Sequence, residues 1–94
     1  MNRVGGELPA DARPYRRTPT FTEETVPAAL TREHSTKAGV WGLLTVLRGK
    51  LRYVVPGEDR EHVLDPDHQA IIVPEQIHYV QPVGEVEFYI EFCK

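Results

Sequence analysis

Four histidines are the residues of this sequence best suited to chemistry. Neutral imidazole is the commonest protein ligand for first-row transition metals, so they are candidate metal ligands: His34, His62, His68 and His78. Their spacing matches neither a zinc finger nor a His-Glu-x-x-His motif, and the single cysteine cannot build a thiolate site. A metal site would therefore have to be assembled from distant strands. The competing interpretation is four ordinary histidines, exposed or hydrogen-bonded.

The local pattern around each histidine predicts which of them face inward. His78 shares a strand face with Val80, so we expect its side chain to point into a core or pocket. His62 alternates with Leu64 and is expected to face inward as well. His68 lies in a turn and is expected to be exposed.

Short strands would position these histidines. Apolar runs or alternating apolar residues recur between turn residues, at 40–47, 50–55 and 86–93. Arg48-Gly49 predicts a tight reversal between the first two runs, and Pro82-Val83-Gly84 predicts a turn before the last. No 3.6-residue pattern persists long enough for a helix. This pattern is typical of an all-β sandwich or barrel.

The N-terminal part of the chain differs in composition. Residues 1–27 hold four of the eight prolines and four of the eleven cationic residues. Proline removes a backbone donor and fixes φ, which favours an extended segment with turns. We predict a flexible N-terminal arm over residues 1–12, followed by a single domain over residues 13–94.

Length and charge exclude several classes of function. A chain of 94 residues forms one domain at most, and its net charge of −3 does not suit a nucleic-acid-binding protein. No apolar run approaches the roughly 20 residues of a membrane span, and the N-terminus lacks the apolar stretch of a secretory signal. The lone Cys93 cannot form an internal disulfide. We therefore expect a cytoplasmic protein without nucleic-acid or membrane partners.

Three stretches resemble a known family. The first is His-Ser-Thr-Lys-Ala-Gly-Val-Trp-Gly at 34–42, followed by Leu-Thr-Val-Leu-Arg-Gly-Lys-Leu at 44–51. The second is Val-Pro-Glu-Gln-Ile-His at 73–78, and the third is the closing strand at 88–94. Over about residues 15–94 the sequence resembles the small cupin domain of TehB-type tellurite-resistance proteins, which also occurs as stand-alone TehB/YeaR-like cupins.

The resemblance implies a fold and a metal site. The implied fold is the cupin double-stranded β-helix, a jelly-roll barrel that is often paired, so we expect a homodimer. Cupins generally hold a metal inside the barrel through a histidine from each of two motifs, and these positions correspond to His34 and His78. Zinc, nickel or iron would be the divalent metal.

The implied ligand set is incomplete. Gly42 stands where the common first cupin motif has its Glu, and Lys37-Ala38 stand near the position of its second His. His62 is then the best third ligand, ahead of Glu33 and Glu91. Strand parity disfavours Glu91, because its neighbours Ile90 and Phe92 should face the core.

The expected function follows from this site. We expect a small cytoplasmic cupin that binds or senses a metal ion or small anion, with Trp41, Tyr53 and Lys37 contacting the ligand. One alternative is a metal-dependent enzyme, in which open metal positions take water or substrate. Another is an interaction module that acts with a separate methyltransferase. The 94 residues leave no room for a methyltransferase domain, so we do not expect this chain itself to transfer methyl groups.

Overall fold

The computed structural model describes residues 2–94, which form one seven-stranded mixed β-sheet. Its strands are β1 (Asn2–Val4), β2 (Pro14–Arg17), β3 (Phe21–Thr22), β4 (Trp41–Val55), β5 (Arg60–Leu64), β6 (His68–Ile72) and β7 (Tyr79–Cys93). Two short 3-10 helices, at Ala28–Thr31 and Pro56–Glu58, are the only helical segments within residues 2–94. The prediction of an all-β domain is confirmed. No helix in this part of the chain is long and apolar enough to cross a membrane.

Two long strands organise the sheet. β4 and β7 each have 15 residues and pair antiparallel from Trp41 opposite Cys93 to Val54 opposite Tyr79. The other edge of β4 is shared, since its first half pairs with β6 and its second half with β5. The strand order is β1-β6-β4-β7-β2, with β3 also on β7. Nearly every element is therefore attached to β4 or β7.

The predicted reversal at Arg48-Gly49 is wrong, because β4 runs through it as one strand. The register with β7 shifts on both sides of Gly49, which marks a β-bulge rather than a turn. Gly49 has φ +81°, and a Cβ there would lie 2.0 Å from the carbonyl oxygen of Glu85. Only glycine fits this position without displacing β7. The predicted turn at Pro82-Val83-Gly84 is likewise absorbed into β7.

The bulge keeps both halves of β4 on the same core. Leu44 and Val46 are buried before it, and Leu51, Tyr53 and Val55 after it, so the buried positions change from even to odd numbers. Because side chains alternate between faces along a strand, this change from even to odd positions requires one inserted residue. The core is completed by residues of the other strands, among them Leu64, Ala70, Ile72, Val80, Val86, Phe88 and Ile90.

The N-terminal segment lies along the sheet. Asn2–Val4 pairs parallel with β6, and β2 and β3 pair antiparallel with β7. Between β2 and β3 and after β3, side chains accept backbone N–H groups of β7 in place of a neighbouring strand. The Thr18 hydroxyl accepts the Ile90 N–H at 3.0 Å, and the Glu23 carboxylate accepts the Val86 N–H at 2.9 Å. β2 is thereby placed beside the C-terminal half of β7.

Gly49→Ala should destabilise the domain by about 2 kcal/mol or more, because the new methyl group combines a positive φ with a backbone clash. Chemical denaturation of the purified variant measures this loss. Gly57→Ala is the matched control, since a Cβ there meets nothing within 4 Å. It should leave stability unchanged or raise it by about 0.5 kcal/mol. Equal stability of the two variants would contradict the bulge.

Candidate functional site

His34 and His78 are joined through their backbones. They form an isolated antiparallel bridge in which the His34 N–H donates to the His78 carbonyl at 3.0 Å and the reverse bond is 2.9 Å. Their imidazole rings meet edge to face, with centroids 4.2 Å apart and planes at 60°. The structure thus brings together two histidines that are far apart in sequence.

Each ring is oriented by a backbone carbonyl two residues earlier. Nδ1 of His34 lies 2.8 Å from the Arg32 carbonyl oxygen, and Nδ1 of His78 lies 2.9 Å from that of Gln76. A carbonyl oxygen only accepts, so each Nδ1 carries the proton. In the neutral form of each ring, Nε2 is then the unprotonated nitrogen. Metal-binding histidines are commonly held this way, with the second ring N–H donating to a carbonyl.

Burial favours the neutral form of His78. Its side chain is 2% exposed, and the loss of hydration lowers its pKa below the ordinary value of 6.5. The hydrogen bond to the Gln76 carbonyl opposes this shift, while the neighbouring His34 adds to it. The Nε2 lone pair of His78 is therefore available at neutral pH.

The two rings lie in a cleft of about 320 Å³. Its apolar surface comes from three elements and the loop before β4: Leu30, Val40, Ile72, Ile90 and Phe92. Its polar surface comes from β2, from the loop before β4 and from the start of β7: Tyr15, Arg16, His34, Ser35, Thr36, Lys37 and His78. Ligand sites commonly have this composition, an apolar wall with a few convergent polar groups.

The loop that carries His34 and Lys37 is fixed by further hydrogen bonds. The Thr36 hydroxyl donates to the Val40 carbonyl at 2.7 Å, which closes the loop on itself. The Glu75 N–H donates to the Thr36 carbonyl at 3.0 Å, which ties the loop to the turn before His78. The loop that carries His34 and the turn before His78 are therefore joined by hydrogen bonds, although they do not belong to one strand.

The other predicted site residues lie in different places. Lys37 lines the cleft. Tyr53 is fully buried, with its ring centroid 5.7 Å from that of His78, so it lies behind the cleft wall. Trp41 is half-buried at the start of β4, opposite Cys93, and does not line the cleft.

His62 lies outside the cleft as well, and pairs with Tyr53 across β4 and β5. No group of three or more His, Cys, Asp or Glu side chains within residues 2–94 is arranged to hold a metal ion. The structure therefore assembles two of the three predicted ligands, and neither His62 nor the reserve carboxylates Glu33 and Glu91 complete the set.

Three buried polar atoms form a separate feature of the β4–β5 hairpin. The Tyr53 hydroxyl, Nε of Arg60 and Nε2 of His62 have no hydrogen-bond partner within residues 2–94. Tyr53 and His62 are directly opposite in the register, and Arg60 is two residues before His62 in β5 on the same face. Burial raises the pKa of Tyr53 to about 12, so its hydroxyl remains protonated.

The remaining candidates have structural roles. Nδ1 of His68 lies 2.7 Å from the Asp65 carboxylate, and this contact lowers the pKa of Asp65. Cys93 is buried, and burial raises the pKa of its thiol, so it lacks the thiolate character of a reactive cysteine.

Sequence reasoning missed the contribution of β2. Tyr15 and Arg16 line the cleft because β2 pairs with β7, where Arg16 lies opposite Phe92. The available signal was the cluster of cations in the proline-rich segment. Nothing local in that segment shows which strand it will pair with.

The structure therefore defines this chain as an all-β domain with a cleft that contains two histidines. Comparison with known families matches residues 16–90 to the TehB-like domain, and the chain belongs to that family. A protein of Haemophilus influenzae strain Rd described as a probable S-adenosyl-L-methionine-dependent methyltransferase TehB is 33% identical, over 76% of this chain and 27% of the relative. The chain thus spans about a quarter of the curated relatives it matches.

Two solved structures resemble the fold. The crystal structure of TehB from Haemophilus influenzae superposes with a TM-score of 0.79 at 31% identity, covering 87% of this chain and 31% of that one. A protein of Escherichia coli K12 superposes with a TM-score of 0.86 at 23% identity, covering 94% and 95% of the two chains. The second likeness concerns the fold alone.

The depressed pKa of His78 predicts a loss of stability in mild acid. Below the unfolded histidine pKa of about 6.5, the unfolded chain binds a proton that folded His78 does not. The free energy of unfolding therefore decreases as the pH is lowered from about 6.5 to the pKa of His78 in the folded protein. A ring-resonance titration by NMR, with denaturation at several pH values, checks this. Titration of His78 at or above 6.5 would contradict it.

Tyr53→Phe should not reduce stability and should raise it by up to about 1 kcal/mol, because it removes a buried hydroxyl without a partner. Thr18→Val is the control, since that hydroxyl accepts the Ile90 N–H and its loss should cost about 1 kcal/mol. Denaturation curves compare the two variants. A loss of more than about 1 kcal/mol in Tyr53→Phe would show that the hydroxyl is satisfied by a bound molecule.

Proposed function

We propose that this chain is a small ligand-binding domain whose cleft holds a divalent metal ion through Nε2 of His34 and His78. The observation that carries the proposal is the orientation of both rings: each Nδ1 donates to a carbonyl, so Nε2 is the nitrogen with a lone pair when the rings are neutral, and both rings line one cleft. The ring centroids are 4.2 Å apart, and this short separation supports the placement of both nitrogens on one ion, because imidazole–zinc bonds are about 2.0–2.1 Å long.

The chemistry of this donor pair favours a metal over a bare anion at the two nitrogens. An unprotonated Nε2 presents a lone pair, which repels an anion, and the lowered pKa of His78 opposes the protonation that would turn it into a donor. A metal cation that lies between the two rings on one side and an anionic ligand on the other removes this repulsion. Zinc, nickel and iron all accept imidazole, and they fit the residues present.

A site with two protein ligands leaves metal positions for water or a bound ligand. Such a site holds its ion weakly compared with a three- or four-ligand site. This favours reversible binding or sensing over a permanently loaded catalytic centre.

The cupin architecture is part of the proposal. β4 pairs with β7 along one edge and with β5 and β6 along the other, which supports a sheet that curls around the core as a jelly-roll barrel. In this arrangement the histidine cleft is the mouth of the barrel.

The relatives support a role beside a methyltransferase. Proteins described as probable S-adenosyl-L-methionine-dependent methyltransferases contain a segment similar to this chain, which makes up 27% of their length. We propose that the present domain supplies the binding function and that a methyltransferase acts with it.

Calorimetric titration of the metal-free protein with zinc or nickel tests the site. The natural chain should bind one ion, and either His34→Ala or His78→Ala should weaken binding by about tenfold or more. Affinity should also fall as the pH is lowered below the range in which His78 is neutral, because the ligands must be unprotonated. His68→Ala is the control, since His68 contacts Asp65 outside the cleft and its loss should leave affinity unchanged. Full binding by both cleft variants would contradict the proposal.

A further inference from the structure

The cleft is cationic although the chain is acidic overall. Arg16 and Lys37 line it, and among residues 2–94 neither has a carboxylate within ion-pair distance. The lining contains no Asp or Glu in this part of the chain, whereas the whole sequence has 14 such residues and a net charge of −3. An anion entering the cleft would therefore meet two unpaired cations and no repelling carboxylate on the lining.

The same cleft has an extensive apolar wall. Leu30, Val40, Ile72, Ile90 and Phe92 form it, and they come from separate parts of the sheet and its loops. A bare inorganic oxyanion would use the cations and leave this wall in contact with water. An anion with an apolar body would use both, because burying the apolar wall is itself favourable.

The volume of the cleft and the hydrogen-bond donors on its lining restrict the class of ligand further. The volume of about 320 Å³ is at the lower end of ligand sites, which commonly measure about 300–1,000 Å³. The guanidinium of Arg16 has the planar fork that matches a carboxylate. Tyr15 and Ser35, which carry neutral hydroxyl groups, belong to the same lining.

We propose that the cleft takes a small organic carboxylate with a compact aromatic or branched aliphatic body. The carboxylate lies toward Arg16 and Lys37, and the body lies on the apolar wall. This inference rests on the proposed function for the location of the site. The recognition of the carboxylate by Arg16 and Lys37 does not itself require a metal.

The test uses four probes with the intact, metal-free protein in a chelator: benzoate, acetate, benzamide and sulfate. Benzoate has both the charge and the apolar body, acetate has the charge alone, benzamide is a neutral molecule of similar shape, and sulfate is an inorganic oxyanion. Chemical-shift titration should give a benzoate affinity about tenfold or more above that of each other probe, since a hydrogen bond to a charged group and the burial of an aromatic ring each contribute about this much.

Two arginine variants on β2 distinguish binding in the cleft from a general effect of positive charge. Arg16→Gln should weaken benzoate binding by about tenfold and leave benzamide and zinc binding unchanged. Arg17→Gln is the matched control, because the neighbouring Arg17 stacks at 3.7 Å over the ring of Tyr89 and does not line the cleft. It should bind benzoate like the natural chain.

Each contrary result has a distinct meaning. Equal affinity for benzoate and acetate would overturn the role of the apolar wall, and equal affinity for benzoate and benzamide would overturn the role of the cations. Benzoate binding that survives Arg16→Gln, or no benzoate binding with or without zinc, would overturn this inference. A failure of zinc binding with benzoate selectivity intact would instead overturn only the metal site.

Discussion

The reciprocal backbone bridge between His34 and His78 is the constraint on which the site depends. Residues 32–40 belong to no strand, and the bridge, together with the bond from Glu75 to Thr36, fixes their position against the start of β7. The bridge brings the two rings into contact. The carbonyls of Arg32 and Gln76 then fix both tautomers. A cleft with two available nitrogens follows from backbone geometry rather than from a cluster of charged ligands.

The sheet supplies the frame for that bridge through β4 and β7. Their pairing, from Trp41 opposite Cys93 to Val54 opposite Tyr79, passes through the bulge at Gly49, where the chain lies too close to Glu85 for any side chain. The bulge shifts parity, so Leu44 in one half of β4 and Tyr53 in the other reach the same core. Tyr53 then forms the layer behind His78, and its burial is part of what keeps the surroundings of His78 poorly hydrated.

Much of this structure could be predicted from the sequence, and the failures have physical causes. The alternation over residues 86–93 predicted a strand, and the burial of its apolar residues Val86, Phe88 and Ile90 agrees with that pattern. Gly49 was predicted as a turn because a positive φ serves turns and bulges equally well. His34 and His78 followed from family resemblance, whereas Arg16 did not, because its place in the cleft depends on long-range pairing of β2 with β7. Local pattern contains no information about such pairing.

The central claim is that both histidines present an unprotonated Nε2 to one metal ion. Long-range proton–nitrogen correlation NMR of the imidazole rings, recorded near neutral pH before and after addition of zinc, tests it most directly. The account predicts protonated Nδ1 in His34 and His78, and a change of the Nε2 resonances of both rings at one equivalent of zinc. A protonated Nε2 in either ring of the metal-free protein, or Nε2 resonances that zinc leaves unchanged, would contradict it.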